Sequence, residues 1–528
     1  MIFLQIGCFF IFVVYNKGYI CYNTTKINKE YNPEDKKMEF INKTVKKVYG
    51  NYPERILQFG EGNFLRAFVD WMIDKANRDG IYEGSIVLCQ PINQGMADMI
   101  NAQEGVYSLA MRGIENGEPL ERIEQITSVS RCLNPYKDYE ALMALARSAD
   151  LEVIVSNTTE AGIAYKAGDK LTDTPPSSFP AKITAFLYER YKAFGGDQEK
   201  GLLFLPVELI DNNGDELKRI VLQYAAEWEL EEAFIHWVCT ANEFTNTLVD
   251  RIVTGYPRDQ IDYFEAKLGW KDNIIVTSEL FHLWVIQGDE TWAEKLPIHK
   301  TDANVIWTRD VTPYKKRKVR ILNGGHTSTV LAAYLAGHSF VLDFMKDEVF
   351  RSFLQKVIYE EVIPTLVDLP REELEAFAEA VSDRFSNPYI KHKLLDISLN
   401  SCSKFNARCL PSLLGYVEAK GQVPDCLSFS LAAFLKFYQG EMREEGYFGI
   451  RDDGTEYQIK DDKEVLEFFH NIWSSNDTSM VARQALSHTS FWSGRDLTKV
   501  EGLEEKVAGY LADMEHKDIR SIAADLIK

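Results

Sequence analysis

Arg55-Ile56-Leu57-Gln58-Phe59-Gly60-Glu61-Gly62-Asn63-Phe64-Leu65-Arg66-Ala67 is the stretch on which the fold turns. RILQF is a short apolar run that breaks at Gly60. Beyond the second glycine, Phe64, Phe68 and Met72 recur four apart with Leu65, Val69 and Ile73 alongside, which predicts a helix with one apolar face over 63–77. Strand, Gly-x-Gly turn and helix, in that order, open a dinucleotide-binding unit. Gly60 permits the tight turn, and Gly62 lets the backbone approach a pyrophosphate at the helix N-terminus. The third glycine of the full fingerprint is absent, with Leu65 in its place. An ordinary glycine turn is therefore the competing reading. On the first reading, Gly60, Gly62, Asn63, Phe64 and Arg66 contact the cofactor.

Outward from this turn, Ser85–Gln90, Leu151–Ser156 and Leu202–Pro206 are further short apolar runs with helical material between them. Strands alternating with helices predict a parallel sheet with its ligand at the carboxyl ends. The second run ends Cys89-Gln90-Pro91, with neither an acidic residue nor a basic cluster. Gln90 can hydrogen-bond a ribose, and the absence of basic residues favours NAD over NADP. After about Asp310 the texture changes, and residues 327–337, 347–362, 371–386 and 426–439 all read as helices. The expected fold is α/β: a Rossmann-type parallel-sheet domain over 38–308, then a mostly α-helical substrate-binding and catalytic domain over 309–528.

A chain of 528 residues is long enough for two domains. Its 59 basic against 79 acidic residues give a net charge of −20, which argues against a nucleic-acid partner but not against an anionic metabolite in a locally basic pocket. The eight cysteines form no CxxC pair and no zinc-type cluster with histidine. They read as reduced, mostly buried thiols of a cytoplasmic protein, and no metal site is expected. Ile2–Tyr15 is apolar but short for a membrane span, with no basic flank or clear cleavage site. Residues 1–37 are expected to be an upstream extension preceding a start at Met38, with export as the lesser alternative. No membrane partner is expected, and the chain is expected to be a monomer or small homo-oligomer.

The segment richest in chemistry is Lys315-Lys316-Arg317-Lys318-Val319-Arg320-Ile321-Leu322-Asn323-Gly324-Gly325-His326. It lies at the presumed domain junction, where α/β enzymes place ligands. Carbonyl reduction needs a proton donor, a group that polarises the oxygen, and contacts that orient the substrate. A lysine can donate the proton when burial and neighbouring cations bring its pKa down from about 10.4. Lys315, Lys316, Arg317 and Arg320 are the expected neighbours of Lys318. Asn323 can hydrogen-bond a developing oxyanion and His326 an adjacent hydroxyl. The competing reading makes the basic run a solvated face and His326 the first turn of a helix.

The pattern Lys318-x4-Asn323-x2-His326, following a GxGxF-x-Arg-Ala turn, resembles the polyol-specific long-chain dehydrogenase/reductase family over residues 50–528. Ser156-Asn157-Thr158-Thr159-Glu160-Ala161-Gly162, Asn246-Thr247-Leu248-Val249-Asp250-Arg251-Ile252 and Arg384-Phe385-Ser386-Asn387-Pro388 also match. The resemblance implies metal-independent hydride transfer, with Lys318 as general acid/base, Asn323 in the oxyanion hole and His326 on substrate hydroxyls. It also implies a helical domain that closes the cleft. Asn157 and Thr158 become cofactor contacts; Asn246 and Asp250 fall near the substrate, although Asp250 can equally be a capping or salt-bridged residue. Arg384 and His392 are candidates for a substrate carboxylate, or else helix-surface residues. Two branches of the family carry Cys-Asp-Asn where this chain has Val207-Glu208-Leu209. Leucine thus replaces one oxyanion donor, and Asn213 is the nearby alternative. The Glu-Leu-Ile-Asp-x-Asn-Gly form points to the branch that reduces hexuronates. An epimeric hexuronate or an uncharged polyol remains the rival substrate, and a non-catalytic nucleotide sensor the rival function.

Overall fold

The Gly60 turn leaves a six-stranded parallel sheet built from β1 (Glu54–Phe59), β2 (Ser85–Cys89), β3 (Val129–Leu133), β4 (Val153–Ser156), β5 (Leu203–Pro206) and β6 (Glu243–Phe244). The computed structural model describes residues 38–47, 52–115, 117–159, 161–475 and 477–528. The upstream-extension expectation for residues 1–37 lies outside them. The strands lie side by side as β3-β2-β1-β4-β5-β6, each parallel to its neighbours. This is the doubly wound order, whose ligand crevice opens where the strand order reverses, between β1 and β4. Phe59 and Ser156 face each other at the carboxyl edge. Gly60 and Asn157 are therefore the first residues out of the sheet on either side of the crevice.

The inner strands are apolar throughout because helices cover both faces of the sheet; every residue of β2, β4 and β5 is buried. The three runs expected after β1 are β2, β4 and β5. β3 and β6 carried no comparable signal. β3 is an edge strand that interrupts its apolar residues with half-buried Ser130 and Arg131, and β6 has only two residues. The helix expected over 63–77 is broken: a turn at Asn63–Arg66 is followed by α1 (Val69–Arg78), because Phe68 leaves helical geometry at φ −128°, ψ −77°.

Two smaller sheets share this half of the chain. One combines the hairpin Tyr107–Glu115 and Glu118–Ile126 with Val276–Glu279 and Val253–Gly255. The other sets Leu283–Gln287 between Thr247–Asp250 and Val305–Thr308. They bring Asp250 and Glu279, at the ends of two strands, toward the helical half. α2 (Asn213–Glu227) follows β5.

Past residue 310 the chain is helical, as expected, apart from a three-stranded antiparallel sheet of Gly440–Arg443, Gly446–Ile450 and Glu456–Ile459. One long helical run starts as α3 (Thr312–Arg317), widens into a π-helical turn over Lys318–Asn323 and continues as α4 (Gly324–Leu335). Every residue of α4 is buried, as befits a central helix without a charged face. Around it pack α5 (Arg371–Phe385), α6 (Ser401–Arg408) and α7 (Asp425–Phe437). Leu283 and Val285 join the same apolar cluster, so the two halves share a core, and Phe40–Lys528 forms one unit. Among the described residues, no helix is long and apolar enough to cross a membrane. The described cysteines are all free thiols, and only Cys239 is exposed.

Candidate active site

At the crevice Gly60 has φ +121°, and a Cβ there would meet the Asn157 carbonyl oxygen at 2.9 Å. Only glycine accepts both conditions. Gly62 is the N-cap of the short Asn63–Arg66 turn, with open space where a side chain would stand. Among the described residues, no other group crowds the backbone at Gly62.

Other expected cofactor residues hold the turn together instead. The buried Arg66 guanidinium donates to the Glu61 carbonyl at 3.1 Å, to Asn63 Oδ1 at 2.8 Å and to the Ile274 carbonyl, and it lies over the Tyr107 ring. Phe64 stacks on Phe68 with centroids 5.0 Å apart. Gln90 donates to the Ile92 and Asn93 carbonyls, both at 2.9 Å, and accepts from Ala97 N. It folds its own loop, which commits both amide hydrogens. Thr158 donates through its N–H and its hydroxyl to Glu208 Oε1, each at 2.9 Å. Burial pushes the Glu208 carboxyl up, against these hydrogen bonds and one from Ser156.

A cleft of about 540 Å³ opens beside the crevice, with Glu208, Leu209, Asn246, Lys318, Asn323 and Arg408 among its lining residues. The π-turn explains how Lys318 and Asn323 share it. In a regular α-helix, residues five apart are about 140° apart around the axis. A π-turn closes on i→i+5 and brings them onto one face. Lys318 Nζ donates to the Val249 carbonyl at 2.8 Å and lies 3.5 Å from Asp250 Oδ1. Among the described residues the Asn323 side chain has no hydrogen-bonding partner. The basic neighbours expected around Lys318 are engaged with other partners, Lys315 within the same cleft. Lys315 pairs with Asp211, Lys316 with Asp368, and Arg317 lies 3.8 Å from Glu373 and over the Phe377 ring. The closest charge to the Lys318 ammonium is an anion.

Asp250 sits between two cations. Arg384, on α5, binds it through both terminal nitrogens at 2.9 and 3.0 Å, and binds Glu279 through Nε at 2.9 Å and Nη2 at 2.8 Å. Burial opposes ionisation of Asp250, but Lys318 and Arg384 prevail and hold its carboxyl below the ordinary range. At Glu279 burial wins and raises the carboxyl. The substrate carboxylate expected at Arg384 is thus replaced by two protein carboxylates that fill its fork. Asp250 is salt-bridged in a strand rather than a helix cap, and its partners lie far along the chain rather than at Arg251.

His326 and His392 stand apart from the large cleft. With Arg384, Phe385 and Leu322 they line an adjoining cavity of about 20 Å³, room for one water rather than a sugar. His326 stacks on Phe385 at 3.9 Å and meets the His392 ring edge-on at 5.2 Å. Burial, then the nearby His392 and Arg384, hold His326 neutral far below the ordinary histidine range, and its Nε2 is buried without a partner.

The two asparagines are structural ties. Asn213 donates to the Pro206 and Glu208 carbonyls and accepts from Thr247 N. Asn246 accepts from the N–H groups of Gly214 and Asp215 at the start of α2, and donates to Asp215 and Gln287. Asn213 therefore does not supply the missing oxyanion donor. Leu209 stands in the cleft, 66% exposed, and brings no donor either. Arg408 and Glu208 line the site and were not read from the sequence. Arg408 lies in no recognisable motif, and Glu208 looked like a mere neighbour of the altered asparagine position. Among the described residues, no group of three or more His, Cys, Asp or Glu is arranged to hold a metal.

Two family models match the chain: a mannitol dehydrogenase Rossmann domain over residues 54–300 and a mannitol dehydrogenase C-terminal domain over 310–515. An altronate oxidoreductase of Escherichia coli O139:H28 is 46% identical over 481 residues, 90% of this chain and 97% of the relative. One from Shigella flexneri is 45% identical over the same shares. Among solved structures, a substrate-free D-sorbitol dehydrogenase superposes with a TM-score of 0.74 at 21% identity, covering 90% of this chain and 95% of that one. The Pseudomonas fluorescens mannitol 2-dehydrogenase ternary complex with NAD and D-mannitol superposes with a TM-score of 0.62 at 21% identity, covering 91% and 95%. At that identity, both likenesses speak for the fold.

Proposed function

The chain belongs to the mannitol dehydrogenase family and is an oxidoreductase acting on a CH–OH group, and from that premise we propose that it is an NAD-dependent tagaturonate reductase. It interconverts D-tagaturonate and D-altronate, a step of galacturonate catabolism in the cytoplasm. The observation that carries the chemistry is the pairing of the Lys318 ammonium and the Asn323 amide on one face of a π-turn, open to a cleft beside the sheet's crevice. The substrate follows from the altronate oxidoreductases, which match 90% of this chain. The domain division proposed with it is a cofactor-binding part over 38–308 and a helical part over 309–528.

The crevice fits a dinucleotide: Gly60 accepts no side chain, and the backbone at Gly62 is open. Backbone groups of Gly60, Gly62 and Asn63, with Asn157 opposite, would hold it. When bound, the nicotinamide supplies the hydride for reduction and takes it back in the reverse direction. Lys318 Nζ, positioned by the Val249 carbonyl and Asp250, donates a proton to the ketone oxygen in reduction and removes it from the hydroxyl in oxidation. The Asn323 amide N–H polarises that oxygen as charge develops on it.

Lys318→Ala is expected to bind NADH nearly normally in a fluorescence titration while losing turnover by a factor on the order of 100–10,000. Near-normal rates would refute the lysine role. Tagaturonate, fructuronate and fructose assayed side by side test the substrate, and a clear preference for fructose would sink the assignment.

A further inference from the structure

We propose that Arg408 receives the carboxylate of the substrate, and so distinguishes a hexuronate from an uncharged ketose. The inference rests on the hexuronate reading above. Arg408 ends α6 and lines the same cleft as Lys318 and Asn323. Among the described residues its one hydrogen bond is a long one, from Nη1 to Thr327 Oγ1 at 3.3 Å. Among the described residues no carboxylate pairs with it. The contrast with Arg384 is direct, since that fork is filled by Asp250 and Glu279. Burial lowers the pKa of Arg408, and no carboxylate offsets the effect. A half-buried guanidinium without an anion is unfavourable on its own terms, and a bidentate carboxylate matches its geometry.

The placement also fits the substrate's length. Thr327 follows Asn323 by four residues, so the two lie on the same face of α4, about 5–6 Å apart. In a ketohexuronate the carboxylate carbon lies four bonds from the ketone carbon, about 5 Å when extended. A ketone held at Lys318 and Asn323 therefore puts its carboxylate one helical turn along, beside Arg408. Gly324 lets α6 pack closely here, since a Cβ there would stand 3.3 Å from the Arg408 carbonyl oxygen, tighter than ordinary contact. Further positive charge backs the same helix. Lys404 on α6, with its Nζ on the Ile397 carbonyl, and Arg320, with its guanidinium on Ser412, have no ion-pair partner among the described residues. A chain of net charge −20 thus gathers cations without ion-pair partners around Arg408.

The test compares wild type, Arg408→Gln and Arg408→Lys with D-tagaturonate and with an uncharged ketose of the same length, using NADH affinity to confirm an intact fold. Losing a charge-assisted pair should raise KM for tagaturonate roughly 10- to 100-fold in Arg408→Gln. The variant's kcat/KM for the uncharged ketose and its NADH affinity should stay within about threefold of wild type, and Arg408→Lys should fall between. An equal loss on both substrates, or a fall in kcat with KM unchanged, would overturn the inference and leave the substrate reading standing. A wild-type preference for the uncharged ketose would overturn both. Should Arg408→Gln fail to bind NADH, the KM ratio of the charge-retaining Arg408→Lys decides in the same way.

Discussion

Asp250 anchors two cations with one carboxylate: Lys318 at 3.5 Å and Arg384 at 2.9 and 3.0 Å. Removing its charge leaves Arg384 with Glu279 alone and Lys318 with only the Val249 carbonyl. Breaking a buried pair of this kind costs about 3–5 kcal/mol. For Asp250→Asn the lower end is expected, because the second carboxylate remains, and urea unfolding measures the loss. Because the same carboxylate positions the Lys318 ammonium, kcat should fall more than KM rises; a stability loss with unchanged kcat would make Asp250 purely structural. Residues of this kind mark the limit of what the sequence could disclose. Lys318 and Asn323 ride on one helix, so their spacing carried their relationship. The Asp250–Arg384 pair joins residues 134 apart in the chain, and nothing local separates a filled guanidinium fork from an empty one. Arg384 looked like the carboxylate receiver for that reason, and Arg408 did not stand out. Asn213 and Asn246 misled similarly, since polar side chains beside a site often serve its backbone.

The π-turn shows what a spacing conceals at the level of elements. The interval from Lys318 to Asn323 marked both as site residues, but on a regular helix it would have pointed them about 140° apart. Their meeting depends on one wider turn, which no residue in KVRILN announces. The main strands and helices were readable because buried strands are continuous apolar runs and helices repeat every three to four residues. The edge strand β3, the two-residue β6 and the small C-terminal sheet have neither mark. Glu361 is another element-level feature hidden from the sequence. It lies in the π-helical stretch Val357–Val362, and its carboxylate accepts from Cys426 N and Leu427 N, each at 2.7 Å, at the start of α7. Burial nevertheless raises its pKa to about 7. The folded chain therefore holds this proton more tightly than the unfolded chain does. Its contribution to stability is complete below about pH 4.5 and is lost as the pH rises through about 7. Glu361→Gln faces an amide NH2 toward one of those N–H groups, so it should destabilise by about 1–3 kcal/mol at low pH. The gap should narrow between pH 5 and 8, as wild type alone loses stability. A gap that widens with pH in thermal melts would show the opposite sign of coupling.

At the scale of the molecule, the parallel sheet and the helical half share one core, with Leu283 and Val285 packed among the residues of α4 and its neighbours. The cleft that holds Lys318 is lined from both sides, by Glu208 and Thr247 of the first half and by Asn323 and Arg408 of the second. A dinucleotide in the crevice would therefore stabilise the chain as a whole. A ligand at 100 times its Kd contributes about 2.7 kcal/mol to the folded state. In a chain of this size that corresponds to a rise of a few degrees in Tm. NADH should produce this rise, and NADPH a smaller one, because the end of β2 presents no basic residue to a 2′-phosphate. Gly60→Ala separates a bound cofactor from a general effect of nucleotide. At φ +121°, with the Asn157 carbonyl 2.9 Å from the added Cβ, alanine must displace the backbone at the mouth of the crevice. The variant should melt about 1–3 kcal/mol less stable than wild type, the strain typical of such a position. It should also gain little or nothing from NADH. Were the NADH increment to survive in Gly60→Ala, the dinucleotide would lie elsewhere on the molecule, and the turn at Gly60 would be a structural bend of the kind its missing third glycine left open.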